Sequence, residues 1–353
     1  MTAPAETPAT IESNVKAPTT GRGFAIKFQK RFVAIWIALL VLIIVSAIIA
    51  PRSLLPTTLA AVIPLASFLA IASAGEATVI MSRGIDLSIP AIVTLSSTIL
   101  LGFSGGRDED LVIAIIAALL FATAVGFANG FLVAVLQLNA LIVTLAVGAI
   151  TAGATLWYRE SLPAESRVPV ALADWGGSRV LGLNVSLWVA VILLVALAIV
   201  LRKSMIGRRF SAAGANPRAA WIAGVNVRLY QIAAFAVAGL LYGIVGILVS
   251  AFIRNPTLLV GDPYLLAPIA AAVLGGTAIS GGIGSMVAVG GAALFLTHLS
   301  QMLKILGLPT AFQFIIFGVA IALGMAIAEV KPAQITQVRN WLARLFGSKA
   351  SAG

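Results

Sequence analysis

Apolar residues along this chain run in long blocks broken by short polar stretches, without the strict alternation of a half-buried strand. Such blocks predict helices, because a bilayer core of about 30 Å is crossed by about 20 apolar residues at a rise of about 1.5 Å each. Blocks and breakers place spans near 32–50, 59–81, 88–104, 111–136, 139–157, 185–201, 229–251, 264–281, 284–303 and 311–328. The fold class expected is therefore all-α: a polytopic integral membrane protein of about ten transmembrane helices. Two pairs of spans lie very close together, the fourth and fifth across 137–139 and the eighth and ninth across a glycine turn at 281–284. Each pair reads either as two spans or as one bent or re-entrant element.

The polar stretches orient the blocks. The segment 202–228, RKSMIGRRFSAAGANPRAAWIAGVNVR, carries Arg202, Lys203, Arg208, Arg209, Arg218 and Arg228 and no Asp or Glu, which marks it as cytoplasmic. Lys27, Lys30 and Arg31 before the first span and Lys331, Arg339, Arg344 and Lys349 after the last put both termini on that same side, as an even number of spans requires. The stretches 107–110 and 158–184 then fall outside. The domain reading is a disordered cytoplasmic tail over 1–31, rich in Pro, Thr and Ala, a membrane domain over 32–328 with its cytoplasmic loop 202–228, and a cytoplasmic tail over 329–353. The first apolar block is longer than a signal-peptide core and lacks a clear small-residue cleavage site, so it reads as a retained helix. Inside the basic loop, Asn216, Pro217 and the run 218–223 read as a capped short helix that Gly224 ends, a handle for another protein.

Composition narrows the chemistry. The 353 residues are 60% hydrophobic and 10% charged, which leaves no room for a separate soluble domain. The formal charge of +11 sits at span ends and in one loop rather than on a soluble basic face, so no nucleic-acid partner is expected. With no cysteine and one histidine, His298, disulfides and cysteine nucleophiles are excluded, little is left for a transition-metal site, and no cofactor is expected. GFSGG at 102–106 matches G-x-S-x-G but ends a membrane block instead of a strand. No G-x-x-x-x-G-K-[ST] loop occurs, so energy for any transport comes from a partner or an ion gradient.

Several polar residues stand where hydrocarbon makes them expensive. Glu76 lies about a turn and a half before the end of an otherwise apolar block, and is read as a pathway residue or as an acid satisfied inside the bundle. In SRGIDLSIP, 82–90, Arg83 and Asp86 need partners, Ser88 is placed to cap the following helix, and Pro90 suits its first turn; the segment is an interfacial turn or part of a pathway. LGGTAISGGIGS, 274–285, has too many glycines for a straight helix, so Gly275, Gly276 and Thr277 read as a gate element or a close-packing surface. Asn129, Asn139, Thr144 and Gln313 are able to hydrogen-bond a hydroxylated solute or a neighbouring helix. GFANG (126–130) and GLLYG (239–243) are small-xxx-small faces, read as packing inside one subunit ahead of a dimer seam.

Four ordered motifs carry a family likeness: GIDLS at 84–88, GFANGFLVAVLQLNALIVTLA at 126–146, AAGANPRAAWIAGVNV at 212–227, and LGGTAISGGIGS. Together they resemble the membrane permeases of bacterial sugar ABC importers of the ribose, galactose, xylose and galactofuranose branch, over about 54–328. The resemblance implies an inner-membrane permease that pairs with a second copy or a paralogue, takes solute from a periplasmic sugar-binding protein, and is driven by two cytoplasmic ATP-binding subunits. It also implies that Gly214, Asn216, Pro217, Ala219, Ala220 and Gly224 form the segment that docks onto the ATPase. Leu141, Pro90 and Glu76 depart from the residues usual in that family. The rival reading from the residues is an ion-coupled secondary transporter in which Glu76, Asp86 and Arg83 carry coupling charge.

Overall fold

The computed structural model describes residues 30–163 and 166–329. The helices, in chain order, are α1 (Lys30–Ile49), α2 (Pro56–Met81), α3 (Ile89–Ser104), α4 (Leu111–Ala134), α5 (Ala140–Glu160), α6 (Val170–Gly177), α7 (Val185–Lys203), α8 (Met205–Ala215), α9 (Pro217–Ile222), α10 (Val227–Ile253), α11 (Ala267–Leu274), α12 (Met286–Ile305) and α13 (Thr310–Glu329). A two-stranded hairpin, β1 (Arg179–Val180) and β2 (Leu183–Asn184), pairs antiparallel with Arg179 opposite Asn184. Seven helices, α1, α2, α4, α5, α7, α10 and α12, are long and apolar enough to cross a membrane. Shorter apolar helices occupy Ile89–Ser104, Asp262–Leu274 and Thr310–Val319. The tails expected at 1–31 and 329–353 lie, but for their innermost residues, outside the described residues.

The core is built on α2 and α10, whose middles are buried on every side: Phe68, Ile71 and Ile80 in the first, Phe235, Tyr242 and Val245 in the second. Hydrophobicity all round a helix suits a central position in a bundle. Around them α4, α5 and α7 keep one face inward and expose Ile113, Ile142 and Ile192, as helices against lipid tails do. The closest crossing is α4 on α10. A Cβ on Gly126 would lie 3.0 Å from the Gly239 Cα, and one on Gly243 would lie 2.7 Å from the Ala122 Cβ. The two small-residue faces thus pack on each other within the subunit, where backbone approach lets dispersion contacts hold the helices.

The connections sort to two ends. At one end lie the turns 82–88 and 135–139, helices α8 and α9, and the segment 275–285. At the other, the loops around 105–110, 161–184 and 254–266 pack together: Ala171 donates its N–H to Asp108 Oδ1 at 2.9 Å, and Arg254 pairs with Asp174 at 3.1 Å. The first of these bonds supplies an acceptor for the start of α6, so the expected loop 158–184 contains a helix.

Two expectations change in detail. The eighth apolar block, 264–281, stops being helical at Leu274, because a Cβ at Gly275 would press on Val289 and because Gly276, Gly281 and Gly282 take φ of 83°, 91° and 79°. The basic segment holds two helices instead of one. Ser204 Oγ accepts from Gly207 N–H at 3.0 Å and starts α8, an amphipathic helix that turns Phe210 and Ala213 inward.

Candidate functional site

The helix α9 is closed at both ends by its own sequence. Asn216 is extended, and its Oδ1 accepts from Ala219 N–H at 3.1 Å, while Pro217 opens the first turn, where it has no N–H to waste. At the other end Val225 N–H bonds the Ala220 carbonyl and Gly224 N–H bonds the Trp221 carbonyl, both at 2.9 Å, with Gly224 at φ 79°. That is a Schellman closure, which needs a residue free to adopt the left-handed conformation. Ala220 is buried against the body, whereas Trp221 and Ile222 are 73% and 80% exposed. A large apolar pair is thus exposed on a short helix capped at both ends.

Behind α9, three segments meet backbone to backbone. Arg83 in the α2–α3 turn sits at φ 70° and donates from Nε to the Gly214 carbonyl and from Nη2 to the Ala215 carbonyl, each at 2.6 Å. These are carbonyls at the end of α8 that the helix leaves unpaired and whose partial negative charge favours a cation. Gly282 N–H bonds the Met81 carbonyl at 2.8 Å, and a Cβ on Gly214 would lie 2.7 Å from Gly282 N. The end of α8, the end of α2 and the glycine-rich segment are therefore one mechanical node, held by backbone contacts and by the Arg83 side chain.

The polar residues singled out in the sequence fall into three places. Glu76, Asp86, Asn129 and Thr144, all at 0% exposure, form a network that fixes the α2–α3 turn. Glu76 accepts from Asp86 N–H at 3.3 Å and from the Tyr242 hydroxyl at 3.1 Å. Asp86 Oδ1 accepts from Ser88 N–H at 2.8 Å and from Ser88 Oγ at 2.6 Å. Asn129 Nδ2 donates to Ser88 Oγ at 2.8 Å, and Leu87 N–H donates to Thr144 Oγ1 at 3.0 Å. Ser88 holds the cap position of α3 but turns its hydroxyl to Asp86, and Arg83 pairs with carbonyls rather than with Asp86.

Asn139 stands apart as the cap of α5, its Oδ1 accepting from Leu141 N–H at 2.9 Å. It faces a cavity of about 1200 Å³ between the α4–α5 turn and α9, which Arg83, Trp221 and Gln231 also line. Gly275, Gly276 and Thr277 follow the end of α11, and Thr277 is buried with no partner for its hydroxyl among the described residues. Sequence reasoning missed Tyr242, hidden inside GLLYG, and the destination of Arg83. A tyrosine in an otherwise small and apolar face was the signal for the first, since a buried phenol needs an acceptor; nothing local signalled the second.

A bundle with seven helices long and apolar enough to cross a membrane defines a multi-pass membrane protein. The chain belongs to the family described as branched-chain amino acid transport system / permease component, whose model matches residues 58–326. It is 31% identical to the ribose import permease protein RbsC of Escherichia coli K12 over 298 residues, 84% of this chain and 92% of the relative. RbsC of Bacillus subtilis is 31% identical over 301 residues, again 84% and 92%. The autoinducer 2 import system permease protein LsrC of Escherichia coli O157:H7 is 30% identical over 301 residues, 83% and 85%. No solved structure matches. The likeness read from the four motifs holds, and the chain is a multi-pass inner-membrane permease component.

Proposed function

We propose that this chain is the transmembrane subunit of an ATP-driven importer for a monosaccharide or a similar polyol, with ATP hydrolysed by separate cytoplasmic subunits. Solute arrives from a periplasmic binding protein, and the permease works with a second copy or a paralogue. The end that carries α9 faces the cytoplasm in this reading, which the uncompensated positive charge of 202–228 supports. The observation that carries the reading is α9 itself: Trp221 and Ile222 are exposed on a helix whose root, Gly214 and Ala215, is clasped by Arg83. A push on α9 by closing ATPase subunits passes through that clasp to the α2–α3 turn and through Gly282 to the 275–285 segment, shifting the bundle between outward-open and inward-open states.

The relatives named for ribose and autoinducer 2 import support a small hydroxylated solute. Glu76, Asp86, Asn129 and Thr144 hold the moving turn, and Gly275, Gly276 and Thr277 supply its flexible counterpart. The test is co-purification with the cognate ATP-binding subunits. Trp221→Glu should abolish the association and ATP-dependent uptake while leaving the permease in the membrane; retained association would remove α9 as the dock.

One observation favours the second reading, an ion-coupled transporter. Glu76 and Asp86 are fully buried and neither belongs to an ion pair among the described residues. Uptake by the chain alone in vesicles, driven by an ion gradient without ATP, would establish it.

A further inference from the structure

At the end opposite α9 a second cavity, of about 500 Å³, opens between α2, α10, α12 and α13 and the start of α11. Phe68 on its wall is 13 residues before Met81, which puts the cavity about 20 Å along α2 from the clasp. The lining divides by chemistry. Phe68, Tyr264 and Phe314 give an aromatic wall, and Asp262, Lys304 and Gln313 bring a carboxylate, an ammonium and an amide to the same space.

These polar groups are uncommitted. Among the described residues, neither Asp262 nor Lys304 belongs to an ion pair and the buried Gln313 Nε2 has no hydrogen-bond partner. A buried amide N–H left unpaired carries its desolvation cost without compensation, so its presence points to something that supplies an acceptor. A cavity of comparable size between α1, α2, α7 and α12 offers a contrast. Its only polar side chains are Trp36 and Ser67, as a crevice for a lipid tail would have.

We propose that the aromatic and polar cavity binds a neutral, hydroxylated small molecule of monosaccharide size, within a single subunit. Its volume falls in the range of about 300–1,000 Å³ usual for small-molecule sites. Opposite charges on one rim disfavour a net anion and a net cation alike, while hydroxyls bond to both. The C–H face of a sugar ring covers an aromatic wall that water wets poorly. The proposal deepens the importer reading by naming a solute subsite at the outer end.

The cysteine-free sequence makes the test direct. Gln313→Cys and Ser300→Cys, both lining the cavity, and Trp221→Cys as the control at the other end, are each labelled with a maleimide in the purified full-length permease. D-ribose, D-xylose, D-galactose and L-arabinose are the probes. At least one should slow labelling at a cavity cysteine about fivefold when present at about four times its dissociation constant, with Trp221→Cys unaffected. In the Ser300→Cys background, adding Asp262→Asn or Phe314→Ala should raise the sugar concentration needed for that protection about tenfold. Unchanged rates at both cavity cysteines with all four sugars would overturn the site, as would protection that survives both added substitutions. The readout needs no ATPase, so lost protection with intact ATPase binding sinks the cavity alone. Lost ATPase binding with intact protection sinks the importer reading alone.

Discussion

Glu76 is the residue whose environment most constrains what a substitution does. Its carboxylate accepts from Tyr242 and from the Asp86 N–H in a site closed to water. Glu76→Ala leaves two buried donors unpaired at about 1–3 kcal/mol each, whereas Glu76→Gln keeps one oxygen able to take both and removes a charge facing Asp86. Thermal unfolding in detergent should therefore rank Glu76→Gln near the parent and Glu76→Ala several degrees below; the reverse order would mean that the charge itself holds the site. Arg83 poses a different question, because its two bonds come from two guanidinium nitrogens onto adjacent carbonyls. A lysine offers a single ammonium in place of that fork. With ATPase subunits present, Arg83→Lys should retain part of the uptake per ATP hydrolysed and Arg83→Ala less, a ratio that loss of folded protein alone does not change.

Among the elements, the long helices were legible because hydrocarbon demands long apolar blocks, and so was the irregularity of 274–285, whose five glycines cannot hold a straight helix, though not that the helix stops as early as Leu274. The bounds of α9 were equally open to reading, since Asn216, Pro217 and Gly224 act within a few residues of themselves. What failed was whatever depends on a distant partner. The helix α8 was hidden because its residues read as a basic loop until Phe210 has a core to face, and α6 because its first turn borrows Asp108 from another loop. In the candidate site the polar residues were each visible, but their assembly into one network around Ser88 was not, as it joins positions 41 and 57 residues apart. The local devices of α9 give an element-level expectation. Gly224→Val meets no neighbour, yet forces a β-branched residue to φ 79°, at a cost of about 1–2 kcal/mol. Asn216→Ala removes the cap, at about 1 kcal/mol. Both should leave the permease folded by size-exclusion profile while weakening ATPase co-purification, and Asn216→Asp should restore it.

For the whole molecule, the two ends are unlike in a way that suits the proposed routes of force and solute. One end is basic and joins α8, α2 and 275–285 through close backbone contacts and the Arg83 side chain. The other carries α6, the hairpin and the paired Arg254 and Asp174, and opens a polar cavity between helices. An importer needs that division, a rigid face for the motor and an accessible face for solute, on opposite sides of the membrane. Because the chain has no cysteine, single cysteines report each side without background. Leu181, 84% exposed at the hairpin tip, and Trp221 on α9 mark the two ends. In intact cells a membrane-impermeant maleimide that has crossed the outer membrane should label Leu181→Cys readily and Trp221→Cys only after the inner membrane is opened. Ready labelling of Trp221→Cys in sealed cells would place α9 with the solute instead of the motor, and the direction of coupling from α9 through the Arg83 clasp would have to be abandoned.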